Sequence, residues 1–116
     1  MPRKTASAMY GNLDLIILHT LSTSGPCHGL GIIDAIEAGS DGSMRVEDGA
    51  LCRALHRLES DGFLKAEWRI SDKNRKAKFY ALTATGKTEL KRAQQEWTRH
   101  TETVSKILGI GWETSR

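Results

Sequence analysis

The sequence has 116 residues and a net charge of +3, from 17 Lys and Arg against 14 Asp and Glu, and 39% of its residues are hydrophobic. This length accommodates one domain with one core, which excludes an enzyme built from separate cofactor-binding and catalytic domains. The longest apolar run, residues 15–18, has four residues, whereas a membrane span needs roughly 20. We therefore expect a small binding module with no membrane partner.

The start of the chain and its cysteines bear on location. Asp14 interrupts the apolar stretch that a signal peptide would require. Two cysteines, Cys27 and Cys52, are too few for the disulfide framework of a small secreted domain. The sequence thus predicts a cytoplasmic protein with free thiols.

Charge is distributed unevenly along the chain. Residues 1–44 contain two basic and four acidic side chains, net −2, so the remainder carries +5. The densest positive stretch is 65–78, with six basic and two acidic side chains. A local basic patch on a nearly neutral domain indicates an anionic partner at one edge. The basic pair Arg3 and Lys4 is either a further nonspecific contact or a frayed end.

Apolar periodicity and helix-breaking residues predict three helices in the first half of the chain. The first runs over about 10–23 and the second over about 28–37, followed by Gly-rich residues 38–42. The third, residues 50–61, is preceded by acidic residues and followed by Gly62, which suits a left-handed C-terminal cap. At 100° per residue its leucines form a buried stripe opposite Arg53 and Arg57, so this helix has an exposed basic side.

The second half of the chain predicts a hairpin and a long helix. From Phe63 the pattern alternates with a period of two, and after the basic stretch 71–76 a β-rich pattern resumes over 77–82. Thr83 is a suitable N-cap for a last helix that ends near Leu108. The apolar residues of that helix approximate a heptad seam, and its length exceeds what a small core can cover.

This order of elements predicts a mainly α fold with a small β-hairpin wing: a winged helix-turn-helix over 1–82 and a C-terminal dimerisation helix with its tail over 83–116, in one compact domain. Helix 50–61 fits the major groove of double-stranded DNA, and the wing 71–78 fits its backbone. The full set of candidate DNA-binding residues is His28, Arg45, Ala50, Arg53, Arg57, Lys73, Asn74, Arg75, Lys76 and Lys78.

Surplus apolar residues on the first and last helices predict a homodimer, because one small domain does not supply enough surface to bury them. The alternative, that both sets pack within the monomer, stays open at this point. The candidate interface residues are Leu13, Ile16, Ile17, Leu90, Ala93, Trp97, Val104 and Leu108.

Four segments resemble the PadR family of transcriptional regulators, in its short type with a single C-terminal helix. They begin at Gly11 (GNLDLIILHTL), Gly25 (GPCHGLGI), Ala54 (ALHRLESDGFL) and Lys76 (KAKFYALTATGK), and they cover most of residues 11–90 in the family's order. The resemblance implies a homodimeric repressor of an inverted-repeat operator, with the C-terminal helix packed on the partner's N-terminal helix.

The sequence departs from the family's pattern at the start of the recognition helix. Ala50, Cys52 and Arg53 stand where the family usually has a hydroxyl residue, a tyrosine and a proline, and Leu30 stands where it commonly has a tyrosine. The expected hydroxyl contacts to phosphate are therefore missing. Arg53 is suited to replace them, by contacting a phosphate or guanine O6 and N7.

Several alternatives remain beside the DNA-binding interpretation. One alternative is a metal or redox sensor built on Cys52 with His56 and Cys27 with His28. Their spacing is weak evidence for such a site, so no metal or cofactor is expected. Trp97 is either an interface anchor or a stacking surface for a small aromatic effector. A winged-helix adaptor that binds protein instead of DNA is the rival function. No catalytic motif is present, so an enzyme is not expected.

Overall fold

The computed structural model describes residues 12–70 and 72–110. Arg3, Lys4, the first residues of the first predicted helix, Ser71 in the wing, and the tail with Trp112 lie outside these ranges. The elements, in chain order, are α1 (Leu13–Ser24), β1 (Cys27–His28), α2 (Gly29–Gly39), α3 (Asp48–Ser60), β2 (Leu64–Ile70), β3 (Lys76–Leu82) and α4 (Ala84–Leu108). The predicted fold class, mainly α with a β-hairpin wing and a long last helix, is confirmed.

The sheet has three antiparallel strands in the order β1-β3-β2. β2 and β3 form the predicted hairpin, with Leu64 opposite Leu82 at its base and Ile70 opposite Lys76 near its tip. The sequence did not predict β1, which pairs Cys27 with Tyr80 and His28 with Phe79. A strand of two residues is too short to produce an alternating pattern, so only the folded hairpin reveals it.

The core lies between α1, α2, α3 and the base of the sheet. The predicted stripe of α3 is confirmed, since Leu51, Ala54, Leu55 and Leu58 are all buried. The predicted cap after this helix is also confirmed, because Gly62 has a φ of 85°. The other buried apolar residues are Leu13, Ile17, Leu18, Leu21, Ile32, Ile33, Ile36, Val46, Leu64, Tyr80 and Leu90.

The start of α4 is fixed to the base of the wing. The Thr83 hydroxyl accepts a hydrogen bond from the Gly86 amide at 2.9 Å and donates one to the Gly62 carbonyl at 2.6 Å, which confirms the predicted N-cap. A Cβ at Gly86 would lie 2.1 Å from the Phe63 carbonyl oxygen, so only glycine fits here. This junction sets the direction in which α4 leaves the domain.

Among the described residues, the first part of α4 packs on the core and the second part is more exposed. Leu90 is buried and Ala93 is half-buried, whereas Trp97, Val104 and Leu108 are exposed. A helix of 25 residues is about 37 Å long at 1.5 Å per residue. The second half of α4 therefore extends beyond the core, as its length predicted.

Candidate nucleic-acid interface

The outward face of α3 carries Gly49, Arg53 and His56, which are all exposed and lie opposite the buried leucines. The Arg53 Nη1 lies 3.4 Å from the position that a Cβ at Gly49 would take, so this guanidinium extends along the first turn of the helix. Among the residues that the structure describes, Arg53 forms no salt bridge. An Arg whose side chain extends over the first turn, on the exposed face of a helix, is well placed to contact a base edge or phosphate.

The wing presents cations at its tip and along β3. Lys73, Asn74 and Arg75 are exposed at the tip, where Asn74 has a φ of 60°, a conformation that asparagine tolerates better than most residues. Lys76 follows at the start of β3, with its Nζ 5.7 Å from the centroid of the Trp68 ring.

Lys78 connects the wing to α3. Its Nζ lies 3.4 Å from a Glu59 carboxylate oxygen and 5.4 Å from the centroid of the Tyr80 ring. The phenol of Tyr80, and then the carboxylate of Glu59, raise the pKa of Lys78 above its ordinary value. Lys78 is charged at neutral pH, and its pair with Glu59 links β3 to the last turn of α3.

A groove of about 680 Å³ separates α2 and α3 from the wing. It includes Leu51 and Cys52 of α3 and four cations of the wing, against two carboxylates, Asp34 and Asp72. The groove is therefore positive, and its outer edge continues onto the exposed face of α3. The cations that line it are Lys73, Arg75, Lys76 and Lys78.

His28 and Arg45 have partners within the protein. The His28 Nδ1 accepts a hydrogen bond from the Gly31 amide at 2.9 Å, which caps α2, and its ring packs edge-on against Phe79 with centroids 5.1 Å apart. A Cβ at Gly31 would lie 2.6 Å from the Cys27 Sγ, so this Cys-His-Gly-Leu-Gly segment is closely packed.

Arg45 pairs with the Glu37 carboxylate at 2.5 Å and with Asp34 at 3.5 Å. The hydrogen bond to Glu37 raises the pKa of Arg45. Arg45 lies in the loop between α2 and α3 and does not line the groove. DNA contact by His28 and Arg45 stays a prediction, and the geometry gives His28 a structural role as well.

Ala50 lies away from Arg53, whereas Arg57 shares a shallow surface hollow with Arg53 and extends toward α1. Ala50 is half-buried against the core, and Arg57 pairs with Asp14 of α1. Both line a hollow of about 620 Å³ between α1, α3 and α4. Ala50 lies at the edge of the apolar stripe, so its methyl group is turned toward the core, and its contact with DNA stays a prediction.

His56 is a further exposed residue of this face, and it is not among the DNA contacts predicted from the sequence. It shares a shallow surface hollow with Cys52, Arg53 and Arg57. The helical wheel already indicates that His56 is exposed, because it lies 60° from Arg53 and at least 100° from each buried leucine. Sequence reasoning considered it only as a metal ligand.

Trp97 lies where α4 passes α1. It borders the hollow of about 620 Å³ between α1, α3 and α4. On its other side it borders a second hollow, of about 470 Å³, that includes Leu15, Ile16 and His19 of α1. The indole is 42% exposed. An indole that is open on both sides can pack against another apolar group.

The domain itself buries three residues of the predicted dimer interface. Leu13, Ile17 and Leu90 are 7%, 0% and 8% exposed, so they leave almost no surface for a second chain. α1 is apolar around most of its circumference, and the domain itself covers the side that carries Leu13 and Ile17. Ile16 and Ala93 are half-buried, and Trp97, Val104 and Leu108 remain exposed together with Ile107.

The cysteines do not form a composite site. Burial raises the pKa of the Cys27 thiol, whereas Cys52 is exposed at the edge of the groove. Across residues 12–70 and 72–110, no three His, Cys, Asp or Glu side chains are grouped so that they could hold a metal ion. In the same ranges, no helix combines the length and apolar character needed to cross a membrane.

Comparison with known proteins gave consistent results. A family model described as the transcriptional regulator PadR-like family matches residues 17–92. A PadR-like transcription factor from Bacteroides fragilis is 30% identical over 84% of this chain and 90% of its own, with a TM-score of 0.68. A PadR family transcription regulator from Clostridium difficile R20291 is 27% identical over 84% and 99%, with a TM-score of 0.70.

A transcriptional regulator from Clostridium thermocellum shares the fold, with a TM-score of 0.77 over 90% of this chain and 97% of its own at 24% identity. No curated protein gave a significant match.

Proposed function

Because the chain belongs to the PadR-like family of transcriptional regulators, we propose that it acts as a homodimeric repressor that binds an inverted-repeat operator. Membership confirms the resemblance, and with it a role as a DNA-binding regulator rather than an enzyme. The operator, the dimer and the repression are the parts we propose. A DNA partner also agrees with the cytoplasmic location that the sequence predicts.

The observation that carries the proposal is the adjacency of the exposed face of α3 and the basic groove of the wing. α3 presents Arg53 and His56 to the outside, and the wing places four cations beside the same helix. A helix of this length fits the major groove, while flanking cations bind phosphates of the same duplex. We assign base recognition to Arg53 and His56, and backbone binding to the wing.

The second half of α4 supports the dimer. It extends past the domain and exposes Trp97, Val104, Ile107 and Leu108 along one helix. A helix of this kind gains stability by packing its apolar residues against a second chain, and α1 of the partner offers half-buried Leu15 and Ile16. In a two-fold dimer the two copies of α3 would enter half-sites about one helical turn, roughly 34 Å, apart.

An aromatic effector is part of the proposal because of Trp97. The indole borders two hollows beside α1, and a dimer built on α4 would place two such indoles near its axis. A planar aromatic molecule that stacks on them would alter the spacing of the two α3 helices and so release the operator. The simpler role of Trp97, an apolar anchor of the interface, requires no effector.

The first experiment measures fluorescence anisotropy of the DNA upstream of the protein's own gene and of a scrambled duplex of equal length, over a salt series. We expect roughly a thousandfold preference or more for the upstream DNA, with a steep dependence on salt. Equal weak binding to both would mean that this operator is wrong or that Ala50 and Cys52 have reduced specificity. No binding to either duplex at low salt would refute the proposal and favour the protein-binding adaptor.

A further inference from the structure

We propose that Trp68 and Ile70, on the face of the wing that continues from the core, pack against the deoxyribose groups of the DNA backbone and supply affinity that does not depend on salt. The inference rests on the proposed DNA-binding function, which it extends by a nonionic contact. Sequence reasoning assigned only charged and polar residues of the wing to DNA.

The apolar face of β2 extends beyond the core. Leu64, Ala66, Trp68 and Ile70 share one face of the strand, and exposure rises from 3% at Leu64 to 62% at Trp68 and 64% at Ile70. The base of the hairpin therefore uses this face for folding, whereas the tip end leaves two large apolar side chains uncovered. Uncovered apolar side chains side by side mark a contact surface rather than part of the fold.

Cations accompany the two exposed side chains. Lys78 is paired with Trp68 across the ladder, and Lys76 is paired with Ile70. The Lys76 Nζ also lies 5.7 Å from the centroid of the Trp68 ring. Apolar and cationic groups thus alternate within one small patch, which we name the wing patch: Trp68, Ile70, Lys76 and Lys78.

The charge of the wing patch favours DNA as its occupant. A nucleic-acid backbone alternates anionic phosphates with apolar sugar faces, so lysines that bind phosphates bring neighbouring apolar side chains onto the sugars. Lys76 and Lys78 also line the basic groove beside α3, so the patch is continuous with the proposed interface.

The test compares the full-length protein with Trp68→Ala, Trp68→Phe and Ile70→Ala in anisotropy titrations with the upstream and scrambled duplexes over a salt series. We expect Trp68→Ala to weaken binding to both duplexes about tenfold at every salt concentration, with an unchanged salt slope. Ile70→Ala should show a smaller loss of the same kind, and Trp68→Phe should recover most of the affinity. Gln95→Ala, an exposed change on α4, controls for handling and should leave binding unchanged.

Tryptophan emission provides a second readout. The DNA-induced change in the emission of the wild-type protein, minus that of Trp68→Phe, isolates the response of Trp68. We expect a change with duplex DNA and none with inorganic polyphosphate, which is anionic but contains no sugar. Equal changes with both polymers would mean that neutralisation of Lys76 causes the signal, and would overturn the sugar contact.

The remaining outcomes separate this inference from the function on which it rests. If the wild-type protein binds neither duplex, the proposed DNA-binding function fails and the inference fails with it. If the wild type binds DNA and Trp68→Ala binds equally well, only the inference is refuted. If Trp68→Ala instead dissociates a dimer, as seen by light scattering, the wing patch is an interface between protein chains and the inference is again wrong.

Discussion

α3 and the wing border the same groove, but they are held in place in opposite ways. α3 is fixed from behind by Leu51, Ala54, Leu55 and Leu58, all buried. The hairpin is held to itself, by seven antiparallel residue pairs between β2 and β3, and its tip end extends past the core. α3 is therefore positioned by packing along its length. The wing is packed at its base through Leu64 and Tyr80, and toward its tip it is held by its own ladder and by the pair between Lys78 and Glu59.

This difference matches the two tasks of a DNA-binding surface. Reading a base edge requires a hydrogen-bond donor at a defined position, which a packed helix provides. Binding phosphates requires positive charge near a surface that varies little with sequence, which an extended basic hairpin provides. We therefore expect substitutions in α3 to affect stability or specificity, and substitutions in the wing to affect affinity for any duplex.

The largest difference between the two regions concerns stability. Leu55→Ala should lower the free energy of unfolding by about 2–5 kcal/mol, because it removes a buried side chain and leaves a cavity beneath α3. Ile70→Ala in the wing should change it by less than about 0.5 kcal/mol, since that side chain is exposed. Urea unfolding followed by circular dichroism measures both. Equal losses would show that the wing tip packs on the domain in solution.

Specificity is the next largest effect. Arg53→Ala should reduce the preference for the operator over random DNA by about 1–3 kcal/mol of discrimination, because Arg53 is the cation placed over the first turn of α3. Binding to the scrambled duplex should change much less. Anisotropy with the two duplexes measures the ratio. An unchanged ratio would remove Arg53 from base recognition and leave His56 as the next residue to test.

The corresponding change in the wing should affect affinity without affecting preference. Lys76→Ala should weaken binding to operator and scrambled DNA alike and lower the salt slope by about 1, because one phosphate contact is lost. Lys106→Ala, in the last turn of α4, is the matched control and should leave the slope unchanged. A loss confined to the operator would mean that Lys76 reads a base, which would contradict the division of roles between α3 and the wing.

The sequence predicted elements whose pattern is local and long enough to be periodic. The stripe of α3, the Thr83 cap and the hairpin were all predicted, because each depends on residues close together in the chain. β1 was missed, since two residues carry no period and their pairing with Tyr80 and Phe79 is set by the fold.

The candidate site was predictable in its charges but not in its packing. The run of basic residues in the sequence is enough to predict the exposed cations of the wing. The sequence pattern does not tell which chain covers an apolar residue, so Leu13, Ile17 and Leu90 were assigned to a partner although the domain buries them itself. The angle of Ala50 on the wheel lies at the border between the two faces of α3, and only the folded structure shows that this residue packs on the core.

The smallest expected effect concerns Arg57, which lies on α3 with Arg53 but extends toward Asp14 of α1. Arg57 pairs with Asp14 while both side chains are about half exposed, and such surface pairs contribute about 0–1 kcal/mol. Arg57→Ala should therefore reduce operator preference far less than Arg53→Ala does. Asp14→Asn should strengthen binding to both duplexes by less than about fivefold, because it removes one negative charge and frees a cation. If Arg57→Ala instead abolishes operator preference, Arg57 leaves Asp14 when DNA binds, and the hollow between α1, α3 and α4 is coupled to recognition through this pair.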